Sequence, residues 1–109
     1  LIVLATVISV PAPGRAILDA GTKALSSDAC HYADGYGYIV GHPAAQIYAL
    51  NEEHAYVRVD PDTPLHIGEK VCIIPNHACV IPNLFGELIL IGQDGEASVI
   101  AVEARGKLQ

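Results

Sequence analysis

Short stretches in which apolar and polar residues alternate follow one another along this chain, and this alternation predicts β-strands. The clearest are residues 46–50 and 55–59, two period-two runs joined by Asn51-Glu52-Glu53-His54. They predict an antiparallel pair with one face in solvent. Residues 87–91 and 97–102 are apolar runs joined through Gln93-Asp94-Gly95. That connection predicts a β-hairpin.

Two further runs predict buried strands. Residues 1–10 are rich in β-branched side chains and end at Pro11-Ala12-Pro13-Gly14, while residues 71–74 form an uninterrupted apolar run that contains Cys72. Because we expect that run to be buried, Cys72 is predicted to be an inert core thiol. Seven or eight short strands at roughly ten-residue spacing, with no amphipathic helix, predict an all-β fold, a small antiparallel β-barrel or sandwich.

The connections carry polar side chains. Residues 19–28 predict a loop with at most one helical turn, in which Lys23, Ser26, Ser27 and Asp28 either line a site or bond to nearby backbone. Residues 30–42 alternate glycine and tyrosine without a phosphate-loop lysine, so we expect a strand between tight turns rather than a nucleotide site. Its tyrosines are expected to be half-buried strand residues: Tyr32, Tyr36 and Tyr38.

Length and charge limit the possible functions. The chain has 109 residues, 51% of them hydrophobic, and a net charge of −6, which predicts a single globular domain over residues 1–109. Its six basic residues are spread singly, so no basic patch for nucleic acid is expected. Three cysteines cannot all pair with one another, which favours a reducing, cytoplasmic compartment.

The first ten residues are apolar but are not read as a targeting segment. They lack an initiator methionine and a basic flank, and they are shorter than the ~20 apolar residues that span a bilayer. A chain that opens inside a strand is typical of a fragment of a longer polypeptide. We therefore expect no membrane association and a missing N-terminal part.

Candidate chemistry lies in the segment that runs from Ile74 to Leu84, where His77 and Cys79 stand two positions apart between Pro75 and Pro82. In extended backbone, side chains two positions apart leave the same face, so both could reach one ion. Imidazole and thiolate are good zinc ligands. Two ligands leave the site open for a third donor or for water and substrate. The alternatives are a satisfied histidine beside a free cysteine, or Cys79 as a nucleophile with His77 or His54 as its base.

Five blocks of the chain, taken in order, resemble the C-terminal domain of the D-threonine aldolase and D-serine dehydratase family. They are LDAGTKALSSD at 18–28, DGYGYIV at 34–40, LNEEHA at 50–55, IGEKVCIIPNHAC at 67–79 and EARGK at 103–107. The resemblance covers nearly the whole chain. It implies the C-terminal β domain of an alanine-racemase-type enzyme, whose N-terminal (β/α)8 barrel holds pyridoxal phosphate on a lysine outside this chain.

The resemblance also implies a metal and a substrate class. The family's metal-binding pair matches His77 and Cys79, and the cysteine favours zinc over manganese or magnesium. The substrate class is a D-3-hydroxy amino acid, and His54 is predicted to contact it. The residues around His54 leave other roles open: acid-base chemistry with the neighbouring carboxylates, a ligand role, or a solvated hairpin turn. Zinc would act as a Lewis acid on the substrate hydroxyl, in dehydration of D-serine to pyruvate and ammonia or in retro-aldol cleavage of D-threonine to glycine and an aldehyde.

The chain also departs from the family pattern. Ala55 stands where relatives have a glycine after the histidine, and Val80 and Ile81 follow Cys79 where relatives tend to have a threonine. No catalytic residue is assigned, and Lys23 is not read as the cofactor lysine. We expect the isolated domain to be inactive and to self-associate as a dimer or larger homo-oligomer. The alternative is a non-catalytic interaction or dimerisation module descended from the same domain.

Overall fold

Eight β-strands and two single-turn helices make up the computed structural model, which describes residues 1–31 and 33–107. The strands are β1 (Val3–Ala12), β2 (Arg15–Leu18), β3 (Tyr38–Ile39), β4 (Gln46–Leu50), β5 (Ala55–Arg58), β6 (Lys70–Ile74), β7 (Glu87–Ile91) and β8 (Ala97–Ala101). The helices are α1 (Thr22–Leu25) and α2 (Ile81–Leu84). The expected all-β architecture is confirmed.

Six strands form one antiparallel sheet in the order β3-β6-β1-β2-β5-β4. The sheet curls into a nearly closed barrel because its two edges, β3 and β4, approach each other. At this seam the backbone N–H of Tyr36 donates to the carbonyl oxygen of Ile47 at 3.0 Å. In this strand order β1, the first strand of the chain, is central in the sheet and lies between β2 and β6.

Alternation along the strands decides what fills the barrel. In β6, Val71 and Ile73 are buried, and in β5 the buried residues are Ala55 and Val57. Such inward aliphatic side chains fill the barrel, and no polar or charged residue among those described is buried. Burial of this apolar surface supplies the main driving force for the fold.

The outer surface of the barrel has two unlike halves. On the β3-β6-β1 side its outward side chains are mostly apolar, and we call this set the apolar half: Ile2, Leu4, Tyr38, Val40, Cys72 and Ile74. On the β2-β5-β4 side the outward side chains are mostly polar residues or tyrosines. We call this set the polar half: Arg15, Gln46, Tyr48, Tyr56 and Arg58.

β7 and β8 form a separate two-stranded hairpin. Most of its apolar side chains are exposed; Ile89, for example, is 70% exposed. The hairpin and residues 1–4 together enclose a groove of about 700 Å³ lined almost entirely by apolar side chains. A groove of this kind is typical of a surface that contacts another protein or domain.

Several predictions about local structure can now be judged. The strand pair 46–50 and 55–59, the hairpin through residues 93–95 and the single helical turn within 19–28 are confirmed. Cys72 is not a core thiol: it points outward between the buried Val71 and Ile73, opposite Leu4, and it is only partly buried. No helix within the described residues is long and apolar enough to cross a membrane.

The tyrosine segment is only partly as expected. Its strand is two residues long, β3, with glycines at positive φ on both sides. Tyr36 is partly buried but precedes the strand, and Tyr38 lies in the strand with 46% of its surface exposed. Tyr32 lies outside the described residues.

Candidate functional site

Three of the polar connections meet at one end of the barrel. Residues 19–31 follow β2, residues 51–54 join β4 to β5, and residues 75–84 follow β6. The two single-turn helices, α1 and α2, contact each other there. We call this the site end of the barrel. It brings together three sequence blocks that are far apart in the chain.

The α1 turn is fastened to the β4-β5 connection through the backbone. The N–H of Thr22 donates to the carbonyl oxygen of Asn51 at 2.8 Å, and the N–H of Lys23 donates to that of Glu52 at 3.2 Å. Gly21 makes this approach possible, because a Cβ there would lie 2.5 Å from the carbonyl carbon of Glu52. The glycine of the DAG sequence is therefore required by close packing of two backbones.

A second fastening holds residues 28–35 against the segment after β6. The side-chain amide of Asn76 donates to the carbonyl oxygen of Asp28 at 3.0 Å and to that of Gly35 at 2.8 Å. Upstream, Ser26 has a positive φ of 60°, which is strained for a residue with a Cβ. The turn at Ser26 and the amide of Asn76 together fix where Asp28 lies.

The Asp28 carboxylate in turn contacts the His77 ring. Oδ2 of Asp28 lies 2.7 Å from Nδ1 of His77, and both side chains are about half exposed. An ionised carboxylate only accepts hydrogen bonds, so Nδ1 carries the proton and donates it. In the neutral ring, Nε2 then has a free lone pair, which is the arrangement found in histidines that bind metals.

Cys79 and His77 do not lie in a strand. β6 ends at Ile74, and residues 76–80 form a bend and a turn that lead into α2. The prediction that His77 and Cys79 lie in extended backbone, with their side chains on one face, is therefore wrong. Both residues are nevertheless exposed at the site end.

The side chains of His77 and Cys79 are chemically suitable as ligands for a metal ion. A histidine oriented by a carboxylate and an exposed cysteine, Cys79, are both donors that zinc accepts. The described residues contain no group of three or more His, Cys, Asp or Glu side chains placed to hold an ion. His77 and Cys79 thus remain a predicted pair, for which a complete site needs further donors from substrate, water or another chain.

His54 lies at the site end but is held through its backbone. The side-chain oxygen of Asn51 accepts from the N–H of Glu53 at 2.9 Å and from that of His54 at 2.6 Å, which makes the connection a tight turn. The Glu53 carboxylate pairs with Lys23, and this hydrogen bond raises the pKa of the Lys23 ammonium. Glu53 is thus engaged by Lys23, and the substrate-binding role of His54 stays a prediction.

The apolar half of the barrel borders the site end. Ile74 is the last residue of β6, pairs with Tyr38 and is followed directly by Pro75-Asn76-His77. Leu4, on the neighbouring strand, is 64% exposed. A domain that covered this apolar surface would therefore also lie beside His77 and Cys79.

Comparison with known families identifies a match over most of the chain. Residues 1–91 match the family described as "Putative serine dehydratase domain". An uncharacterized protein of Mycobacterium tuberculosis is 38% identical over 94 residues, which are 85% of this chain and 71% of that protein. D-threonine aldolase from an Arthrobacter species is 36% identical over 107 residues, which are 97% of this chain and 27% of the enzyme.

Solved structures agree with this match. D-threo-3-hydroxyaspartate dehydratase from Delftia sp. HT23 superposes with a TM-score of 0.81 and 30% identity, covering 92% of this chain and 31% of that one. Two solved variants of that enzyme replace a histidine and the cysteine two positions after it with alanine, and the structure of the cysteine variant is of its metal-free form. The chain thus spans under a third of the length of the enzymes that it matches.

Proposed function

This chain belongs to the putative serine dehydratase domain family, and we propose that it is the metal-bearing β domain of a lyase that acts on D-3-hydroxy amino acids. His77 and Cys79 would be two of the zinc ligands. The observation that carries this proposal is the Asp28 carboxylate 2.7 Å from the His77 ring, beside an exposed thiol two positions later. The matched dehydratase supports it, because the histidine and cysteine that were replaced in its variants have the same spacing.

Each residue of the proposed site has a distinct task. Asp28 holds the proton on Nδ1 of His77, so that Nε2 is available as a donor. Cys79 would bind as the thiolate, and its exposure leaves the other side of the ion open to substrate. When bound, zinc would supply a Lewis acid for the substrate hydroxyl. Pyridoxal phosphate would be held by an N-terminal barrel, and His54, in the β4-β5 turn, would contact substrate.

The apolar half supports the position of the site at a boundary between domains. The matched enzymes are much longer than this chain, which covers only 27% of the aldolase and 31% of the dehydratase. We propose that the missing barrel covers the apolar half and the groove beside the β7-β8 hairpin. That contact would close over His77 and Cys79 and exclude water from the reacting groups.

Metal analysis tests the ligand assignment. The purified chain is loaded with zinc under reducing conditions, dialysed and measured for bound metal by mass spectrometry. We expect bound zinc in the wild type and its loss in His77→Ala and Cys79→Ala. Cys72→Ala is the matched control, since it removes a thiol from the same region and should keep the metal. Equal zinc in Cys79→Ala and wild type would contradict the assignment.

Activity tests the reaction class. The polypeptide that contains this chain together with its upstream sequence is assayed with D-serine for pyruvate and with D-threonine for glycine. We expect turnover of one of these substrates that requires zinc and is lost in His77→Ala. A zinc-loaded full polypeptide that turns over neither amino acid would contradict the enzymatic role.

One observation favours a second candidate function, a free-standing interaction or dimerisation module. In the Mycobacterium tuberculosis relative, the matched 94 residues make up 71% of the whole protein. The remainder is far too short for a (β/α)8 barrel of ~250 residues. In such a module the apolar half would contact a second copy. A dimer that forms without zinc, together with no turnover by the parent polypeptide, would support this candidate.

A further inference from the structure

Two arginines face each other on the polar half of the barrel. Arg15 begins β2 and Arg58 ends β5, and the two are register partners. Gln46, at the start of β4, pairs with Arg58 from the other side. Like charges directly opposite each other in an antiparallel pair are destabilising. A partner of opposite charge would lower this repulsion.

Tyr48 orients both guanidinium groups. Nη2 of Arg15 donates to the Tyr48 hydroxyl at 3.0 Å, and Cζ of Arg58 lies over the Tyr48 ring, 4.4 Å from its centroid. Stacking of this kind engages the flat face of Arg58 and leaves its in-plane N–H groups available. One of them makes a long hydrogen bond of 3.4 Å to Gln46. Several donors of both arginines thus remain without a strong acceptor.

The chain has enough carboxylates to neutralise these arginines, yet no carboxylate in the described part of the chain forms an ion pair with either of them. Acidic residues outnumber basic ones by twelve to six. The ion pairs among the described residues join Lys23 to Glu53, His42 to Glu69 and His77 to Asp28. Neither Arg15 nor Arg58 takes part in them. Two adjacent, oriented guanidinium groups without a carboxylate are suited to an external oxyanion.

We propose that Arg15 and Arg58, oriented by Tyr48, form a binding site for a small ligand with a carboxylate or phosphate group. A cavity of about 450 Å³ lies beside Arg58 and Tyr48, and its other walls are formed by Gln46 and by residues 29, 30 and 33–36. Asp34 lines the same cavity. Its negative charge repels an anionic group and would keep that group at the arginine end. Arg15 and Arg58 lie at the ends of β2 and β5 that are opposite to the β4-β5 turn, whereas the other wall of the cavity belongs to the loop that follows Asp28.

Titration followed by NMR tests the site. Inorganic phosphate and, separately, acetate are added to the ¹⁵N-labelled chain at an ionic strength fixed with sodium chloride. We expect saturable shifts of backbone amides in β2, β4 and β5, weakened roughly tenfold or more in Arg58→Gln. Arg105→Gln is the matched control and should bind like the wild type. The ion that binds more tightly identifies the ligand as a phosphate or a carboxylate.

A second pair of variants tests the orienting role of Tyr48. Tyr48→Phe removes the hydroxyl that accepts from Arg15 but keeps the ring, and we expect binding to weaken about threefold because Arg15 is no longer preorganised. Tyr56→Phe removes a neighbouring hydroxyl, bonded to Asn51 rather than to an arginine, and should have no effect. Shifts that do not saturate, that sodium chloride reproduces, or that survive in Arg58→Gln would overturn the proposal.

Discussion

The apolar half and the polar half of the barrel share one interior but differ in their outer surfaces. Inward side chains are buried aliphatics on both sides, as Ile73 in β6 and Ile47 in β4 illustrate. Outward, β6 carries Cys72 and Ile74, whereas β5 carries Tyr56 and Arg58. Folding requires only the inward pattern, so the outward difference reflects what each side is suited to: exposed apolar side chains are typical of a surface that contacts protein, and polar ones are suited to water.

The largest effects should come from the shared interior and should be equal on both sides. Ile73→Ala and Ile47→Ala each remove a fully buried side chain, and each should lower the free energy of unfolding by about 2–5 kcal/mol. Urea denaturation followed by circular dichroism measures both. A loss confined to one of the two variants would show that the halves do not form one cooperative unit.

Self-association should depend on the apolar half alone. Leu4→Lys places a charge in the exposed apolar surface and should weaken dimerisation roughly tenfold or more, because the charge would be desolvated in the contact. Gln46→Lys adds the same charge on the polar half and is the control. Sedimentation velocity over a concentration series measures both. An unchanged dimer in Leu4→Lys would place the contact elsewhere.

Zinc affinity should depend on the carboxylate beside His77. Asp28→Asn keeps the shape of the side chain but removes its charge, and zinc affinity should fall about 10-fold, since partners that orient a ligand histidine contribute 10–100-fold. Competition with a chelating dye measures the affinity, and the unfolding free energy should be nearly unchanged because both side chains are half exposed. Unaltered zinc binding in Asp28→Asn would argue against His77 as a ligand held by this pair.

The smallest effect is expected from Lys23, which pairs with Glu53 on the polar side of the site end. This hydrogen bond raises the pKa of Lys23 above its usual 10.5. The pair therefore stabilises the fold below pH 10.5, and the contribution is lost as the pH rises through the raised pKa. Lys23→Met should differ slightly from wild type in urea denaturation at neutral pH, and the difference should vanish in strong alkali. Zinc binding by this variant should be unchanged.

Alternation of residue type was sufficient to predict β4, β5 and their pairing, but it could not indicate which face of β6 is inward. Val57 and Arg58 reveal their faces because one is apolar and the other charged. The run Val71-Cys72-Ile73-Ile74 is apolar at every position, so period two cannot indicate which face is inward. For that reason Cys72 was predicted to lie in the core and is found outside.

The sequence predicts the donors of the candidate site, whereas the geometry around His77 could not be predicted from it. His77 and Cys79 are recognisable from spacing and from the five family-like blocks. The contact of His77 with Asp28 joins residues 49 positions apart, and no local pattern encodes such a contact. The turn at 76–80 depends likewise on Asn76 bonding to two distant carbonyl groups, Asp28 and Gly35. Proline on both sides indicated a stiff segment but not its shape.

The central place of β1 in the sheet has a consequence for synthesis. Val3 pairs with Ile73, so β1 emerges from the ribosome ~70 residues before one of its two neighbours. At about 5–20 residues per second, it waits roughly 4 to 14 seconds with one edge open. Nascent chains stalled before β6 should therefore be held by chaperones, and release should follow only when β6 has been translated.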